Sequence, residues 1–355
     1  MTYVKVPKQN AESIKRMLKK ANMLDNNAQV KYNKGYAYFP IKELQHNEKE
    51  AFLEKYANKY KVQFSNMKKE KNEKINYEEG LKMLLSKEEF NELSRGYDLL
   101  GNIAIIEISD KLKQKEKKIA EILIGSNKNI ETVLKKAGPV EGIYRLRKLK
   151  YLAGKRSFIA NYKENHCVFM FDVRKVFFSN RLSFERSRLC NLSRDGESIM
   201  VMFAGVGPFA IEIAKAHKNA KIVAIELNKA AYEYMKKNIE INKVKNVVAV
   251  NGDVKDKCKE FEGFADRVIM PMPKTSLLFL DEACLAAKKH AFIHIYTFSP
   301  VSDPFGGIQK SLEQYAKEHD CQMSIVGKRI VRPYSANEVE IVADIEIKKE
   351  PFDYK

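Results

Sequence analysis

The stretch MFAGVGPFAIEIAK, residues 202–215, places glycines at Gly205 and Gly207 and a small residue at Ala210. This is the G-x-G-x-x-A spacing of a strand-to-helix loop that lets a nucleotide approach the backbone. The apolar run SIMVMFAG leading into it reads as a strand, and Pro208 opens a helix where proline is best tolerated. Outward from the loop the grammar repeats. AKIVAIELN is a second strand followed by a helix over 229–242, and NVVAVNGDV, ADRVIMPMP and AFIHIYTF are the third, fourth and fifth strands. The tail MSIVGKRIVRPYSANEVEIVADIEI alternates as a closing hairpin. Strands alternating with helices predict an α/β fold with a doubly wound, Rossmann-type parallel sheet.

The loop alone does not choose between a dinucleotide and S-adenosylmethionine. The ends of the next three strands do. Glu226 stands 21 residues after Gly205 at the end of the second strand, where a carboxylate accepts hydrogen bonds from ribose hydroxyls. Asp253, in NGD, ends the third strand within reach of an adenine amino group. The fourth strand ends in MPMPK, a proline-bracketed turn that suits a flat base slotted against a sulfonium. The pattern favours S-adenosylmethionine as cofactor. The competing reading, glycines that only permit a tight turn, leaves the two acids in register without a purpose.

The rest of the chain differs in charge. Of 355 residues, 64 are Lys or Arg and 46 Asp or Glu, a formal net charge of +18. Residues 1–175 hold 37 basic and 22 acidic residues, and the remainder 27 and 24. A basic half beside a near-neutral half suggests a polyanionic partner for the first and other chemistry for the second, the alternative being a lysine-rich solvated surface. Two small α+β units are expected before the Rossmann-type domain: residues 1–68, then 75–172, with a charged linker starting at Lys68 and the last domain over 173–355. Strands such as GIYRLRKLKYLAG and SFIANYKENHCVFMFDV interleave Arg, Lys and Tyr, which suits a sheet lying against phosphates and bases. No apolar run reaches 18 residues and no signal peptide is visible, so no membrane partner and a cytoplasmic location are expected. Five scattered cysteines without a C-x-x-C pair argue for reduced thiols and against a metal site.

The segments KVFFSNRLSFERSRL, MFAGVGPFAIEIAK, AIELNKAAYEYMKKNIEINKV, NGDV, DRVIMPMPK and RIVRPYSANEVEIVADIEI together resemble the archaeal and eukaryal type of tRNA (guanine-37, N1)-methyltransferase. GYDLLGNIAIIEI and GIYRLRKLKYLAG are similar to that family's middle domain. The resemblance covers roughly residues 1–350 and is weakest before 75. It implies an N-terminal domain that touches the tRNA elbow, a middle RNA-binding domain, and a catalytic domain into which the base beside the anticodon is flipped. A monomer is expected.

Guanine N1 carries a proton near neutral pH, so a general base is required, and charge spreading onto O6 calls for a fixed cation. By the resemblance the base is Glu185 and the O6 partner Arg145, on the basic strand. By themselves these residues read equally as a helix-surface ion pair of Glu185 with Arg181 or Arg188, and as a phosphate contact. Phe203 and Arg181 are expected to join Gly205, Gly207, Glu226 and Asp253 around the cofactor. Pro271, Pro273 and Phe177 are expected around the flipped base, although Phe177 and Phe178 also read as filler of the domain junction.

Two departures stand out. The family form Asn-Leu-Pro is replaced here by Pro271-Met272-Pro273, and Val201 stands where an acid commonly precedes the loop. Proline offers neither a side-chain hydrogen bond nor an N–H. The first departure raises the alternative of methylating carbon 7 of the tricyclic wyosine precursor at the same position. A catalytically weak tRNA-binding paralogue is a second alternative, and transfer of the cofactor's aminocarboxypropyl group a third that PMPK argues against.

Overall fold

The computed structural model describes residues 2–25, 30–33, 35–66 and 76–349. Most of the expected linker lies outside them. By contact pattern the chain divides into Met1–Lys74 and Ile75–Lys355.

In the first unit, β1 (Thr2–Pro7), α1 (Ala11–Lys20), β2 (Lys31–Asn33), β3 (Tyr36–Pro40), α2 (His46–Tyr60) and β4 (Gln63–Asn66) build an antiparallel sheet of order β2-β3-β1-β4. Its core is Val4, Val6, Ile14, Leu18, Phe39 and Phe52.

The second unit begins with α3 (Tyr77–Leu84) and α4 (Lys87–Glu92), where the sequence suggested one helix over 77–90. The break has a local cause. Ser86 accepts from Glu89 N, and the Glu89 side chain accepts from Ser86 N, a capping box that starts a new helix. β5 (Tyr97–Leu100), β6 (Ile103–Ile106), α5 (Glu116–Ser126), β7 (Thr132–Glu141) and β8 (Leu146–Gly154) come next. β7 escapes sequence reading because Gly138-Pro139 interrupts it, and the register with β8 shifts there, between Lys136 and Val140. Arg145 is consequently in the β7–β8 turn at φ 53°, rather than on a strand.

β9 (Ile159–Glu164) and β10 (Cys167–Asp172) form a separate hairpin. Beyond them lie α6 (Ser183–Leu192), β11 (Ser198–Val201), α7 (Pro208–Ala216), β12 (Lys221–Glu226), α8 (Lys229–Asn242), β13 (Val247–Asn251), α9 (Val254–Lys257), β14 (Ala265–Met270), α10 (Leu280–Ala286), β15 (Ala287–Pro300), α11 (Gly306–Glu318), β16 (Gln322–Pro333) and β17 (Glu338–Lys348). Among the described residues, seven strands make one sheet of order β13-β12-β11-β14-β15-β17-β16. β11 to β15 run parallel, and β17 inserts antiparallel between β15 and β16. The expected doubly wound architecture is present. β11 reads as an unbroken apolar run because both its faces are buried: Met200 belongs to one core cluster, Ile199 and Val201 to the other.

The expected boundary at 172/173 is not a separation in the structure. The hairpin docks on α8, where Asn238 accepts from Met170 N at 2.8 Å and Asn242 accepts from Val168 N at 2.9 Å. One apolar cluster then runs from Ile105 and Leu134 through Phe169 and Phe171 to Val206, Ile211 and Ala231. A two-stranded hairpin cannot bury its own apolar face, so it borrows the helix of the next domain.

Candidate active site

Strand order reverses at β11, whose neighbours are β12 and β14, so a crevice opens at the C-terminal ends of these strands. There the loop turns twice through left-handed backbone, at Gly205 (φ 58°) and Gly207 (φ 87°). Their reasons differ. A Cβ on Gly207 would meet Met235 Cγ at 2.9 Å, so that glycine lets α7 and α8 approach, whereas a Cβ on Gly205 meets nothing nearer than 4.0 Å. Gly205 therefore leaves open space beside its backbone. Phe203 is also left-handed at φ 54°, its ring edge-on to Phe279 at 4.9 Å.

Glu226 ties the crevice together. Its two carboxylate oxygens accept from Gly205 N and Asn228 N, each at 2.7 Å. Burial pushes this carboxyl above its ordinary range, against those backbone bonds. Asp253 caps α9 through Lys255 N at 2.9 Å, and Leu227 is left exposed beside it all. The residues present fit a nucleoside: an open backbone cradle at Gly205, carboxylate lone pairs at Glu226 and Asp253, and an apolar face at Leu227. Arg181 is not part of this group. It donates to Asp98 Oδ1 of β5 at 2.9 Å and lines a cavity together with Arg145 and Phe177.

That cavity, of about 280 Å³, is lined among others by Asp98, Arg145, Phe177, Arg181 and Arg332. The Arg145 guanidinium lies 4.6 Å from the Phe177 ring centroid, and burial lowers its pKa. The two phenylalanines divide the roles weighed for them. Phe178 packs against Phe171 at 4.7 Å in the junction, while Phe177 stays exposed under Arg145.

Glu185 sits in the first turn of α6 and is 1% exposed. Its Oε1 accepts from Arg329 at 2.6 Å, and its Oε2 from Arg188 and the Tyr296 hydroxyl, each at 2.9 Å. Of the two helix partners weighed from sequence, Arg188 pairs with it and Arg181 does not. Arg188 also donates to Asp344 at 2.6 Å, and the chain continues inward from Asp344 to His294, Arg267 and Glu197. His294 is neutral here: burial holds its pKa down, Nδ1–H donates to Asp344, and Nε2 accepts from Arg267. Burial alone would raise Asp344, but hydrogen bonds from His294 and Arg188 bring it down to about 2.

At the same edge, Pro273 O accepts from Phe298 N at 3.3 Å, Phe298 pairs with Glu340 across β15 and β17, and Glu340 pairs with Arg332 across β17 and β16. Pro273 thus stands at one end of this row, and Pro271 two residues before it. Arg329, Arg332, Tyr296, Glu340 and Asp344 were missed from sequence. The available signal was EVEIVADIEI, whose Glu340 and Asp344 share one face of a strand with Val342 between them. A polar strand face reads as solvated, yet here α6 covers it.

Three family models match the chain: the Trm5 N-terminal domain over residues 4–49, the TYW2 N-terminal domain over 77–157, and the TRM5/TYW2 methyltransferase domain over 160–324. The chain is 33% identical over 347 residues to the tRNA (guanine(37)-N(1))-methyltransferase Trm5b of Pyrococcus abyssi, covering 97% of this chain and 98% of that protein. The crystal structure of that Trm5b superposes with a TM-score of 0.69 at 32% identity, over 98% of this chain and 99% of the other. A structure of an archaeal-type Trm5 with a leucine tRNA gives 0.67 at 30% identity, over 98% and 99% of the two chains. The chain therefore belongs to the TRM5/TYW2 methyltransferase family.

Proposed function

We propose that this protein is an S-adenosylmethionine-dependent tRNA methyltransferase that forms N1-methylguanosine at position 37. The observations that support the chemistry are a buried carboxylate, Glu185, the Gly205–Glu226 hydrogen bond at the strand ends of the same domain, and a cavity lined by Arg145 and Phe177. Both Arg145 and Glu185 act electrostatically on the buried Glu340, which supports reading the two as parts of one site. The full-length likeness to Trm5b supports guanosine 37 as the target, ahead of the tricyclic precursor.

Glu226 and the backbone at Gly205 hold the cofactor's ribose, with Asp253 and Leu227 toward its adenine. When bound, the cofactor supplies a methyl group already activated by its sulfonium. Phe177 and the Pro271–Pro273 segment hold the flipped base. Glu185 takes the N1 proton and Arg145 balances the charge gathering on O6. For that, one Glu185 bond must open. Arg329 is the partner free to leave, being 36% exposed and resting 4.5 Å from the ring of the exposed Phe184. The N-terminal unit contacts the tRNA elbow and the sheet of β5 to β8 its phosphates. The protein acts as a single chain in the cytoplasm, a setting in keeping with its five free cysteines.

The deciding assay is methyl transfer to unmodified tRNA bearing guanosine 37, run beside tRNA carrying the tricyclic precursor. Product on the first RNA, mapped to N1, is expected. Cofactor binding without product on either RNA overturns the proposal.

A further inference from the structure

A base flipped out of an anticodon loop leaves its neighbours without a stacking partner, and that loss is part of the energy the enzyme must offset. Phe177 and the proline turn are taken up by the extruded base itself. Another aromatic surface stands beside the cavity. Tyr334, in the turn between β16 and β17, stacks on Phe298 with ring centroids 3.9 Å apart and planes 29° from parallel, and the residue is still 44% exposed. One face of the Tyr334 ring is therefore covered, and the other is open to solvent.

Its position ties that open face to the site. The Tyr334 hydroxyl is among the groups that act electrostatically on the Arg145 guanidinium, and Arg332, two residues earlier in the chain, lines the same cavity as Arg145. Phe298 N donates to Pro273 O, so the supporting ring is anchored to the proline turn. The turn that carries Tyr334 is held by its own bonds: Tyr334 N and Ser335 N donate to Glu338 O at 2.9 and 3.1 Å, and Ser335 Oγ accepts from Glu338 N at 3.1 Å. A ring fixed in this way loses little freedom when a base lies on it. Phe184, also exposed, differs, because the Arg329 guanidinium already lies 4.5 Å from its ring centroid.

We propose that Tyr334 is an RNA-binding residue whose open face stacks on an anticodon-loop base adjacent to the extruded one. The inference rests on the guanosine-37 reading above. Every base has a π-face, so this contact supports the opened loop without restricting which base stands next to the target.

The experiment uses the full chain and two tRNAs that keep guanosine 37 and carry 2-aminopurine, a base whose fluorescence is quenched by stacking, on one side of it or the other. In the complex with the wild type, one of the two probes is expected to be quenched. Tyr334→Ala is expected to release that quench and to weaken tRNA binding by roughly tenfold, the loss typical of one base–aromatic stack. Tyr334→Phe keeps the ring, and is expected to keep the quench and to bind tRNA within about twofold of the wild type. Cofactor affinity, expected to be unchanged in both variants, reports that the fold is kept. Equal fluorescence of wild type and Tyr334→Ala at both probe positions, or loss of the quench in Tyr334→Phe, overturns the stacking role. A wild type that binds these RNAs and transfers no methyl group to guanosine 37 overturns the guanosine-37 reading itself, which separates the two failures.

Discussion

The sheet of β5 to β8 and the sheet of β11 to β17 are both rich in charge, and they use it in opposite ways. Beside the first, Lys111 pairs with Glu92 and Lys155 with Glu131, the lysines 78% and 68% exposed, and of its strand lysines Lys135 is turned inward against the buried Glu116. On the second, Glu185, Arg188, Asp344, His294, Arg267 and Glu197 form a continuous covered row under α6. Exposed pairs are screened and contribute about 0–1 kcal/mol, whereas removing one partner of a buried pair leaves an uncompensated charge in low dielectric. The first arrangement keeps its cations available to a polyanion. The second fixes one carboxylate in one geometry.

The largest effect expected from this contrast is catalytic. Glu185→Ala should lower turnover by roughly 10²–10⁴-fold while cofactor affinity stays within a few-fold, because in the proposed mechanism the carboxylate acts on RNA and Glu226 holds the cofactor. Single-turnover methylation beside equilibrium cofactor binding checks this, and unchanged turnover removes Glu185 from the mechanism. Next comes stability. Asp344→Ala strands the His294 Nδ1–H and leaves Arg188 only its bond to Glu185, and should cost about 3–5 kcal/mol in a denaturant titration. A loss below about 1 kcal/mol would mean that the row is a surface pair in disguise.

The same row sets a pH dependence. Asp344, depressed to about 2, contributes stability that is complete above its ordinary 3.8 and is lost as pH falls from there toward 2. That contribution is about 2 kcal/mol. His294 adds in the same direction: its pKa is held below 6.5 in the fold, so the unfolded chain takes up the proton first as pH drops. Urea midpoints should slip below about pH 6.5 and fall faster below about 4, and Asp344→Asn should flatten the lower part.

The smallest effect belongs to the other sheet. Lys155→Ala should change stability by less than about 0.5 kcal/mol. Its loss should appear instead in RNA binding, with a shallower decline of tRNA affinity as salt rises. A stability cost larger than the binding effect would erase the distinction between the two sheets.

Range along the chain decides what was legible in the sequence. The nucleotide loop, Glu226 and Asp253 lie at strand ends that periodicity locates, so their convergence could be read directly. Arg145 was expected on a strand and lies in a turn, because the Gly138-Pro139 interruption hid β7 and with it the hairpin turn. Arg181 donates to Asp98, 83 residues away, a partner that no local spacing could indicate. Arg329 and Glu340, 144 and 155 positions beyond Glu185, are brought to the site only when β17 inserts between β15 and β16.

The sequence by itself determined the parallel core, the cofactor crevice and the uneven charge, because local periodicity and turn chemistry act over a few residues. Tertiary structure decided which face of β17 is covered and which two arginines hold Glu185. Those choices depend on strand insertion and helix cover, where burial far along the chain turns an apparently solvated face into the lining of the site.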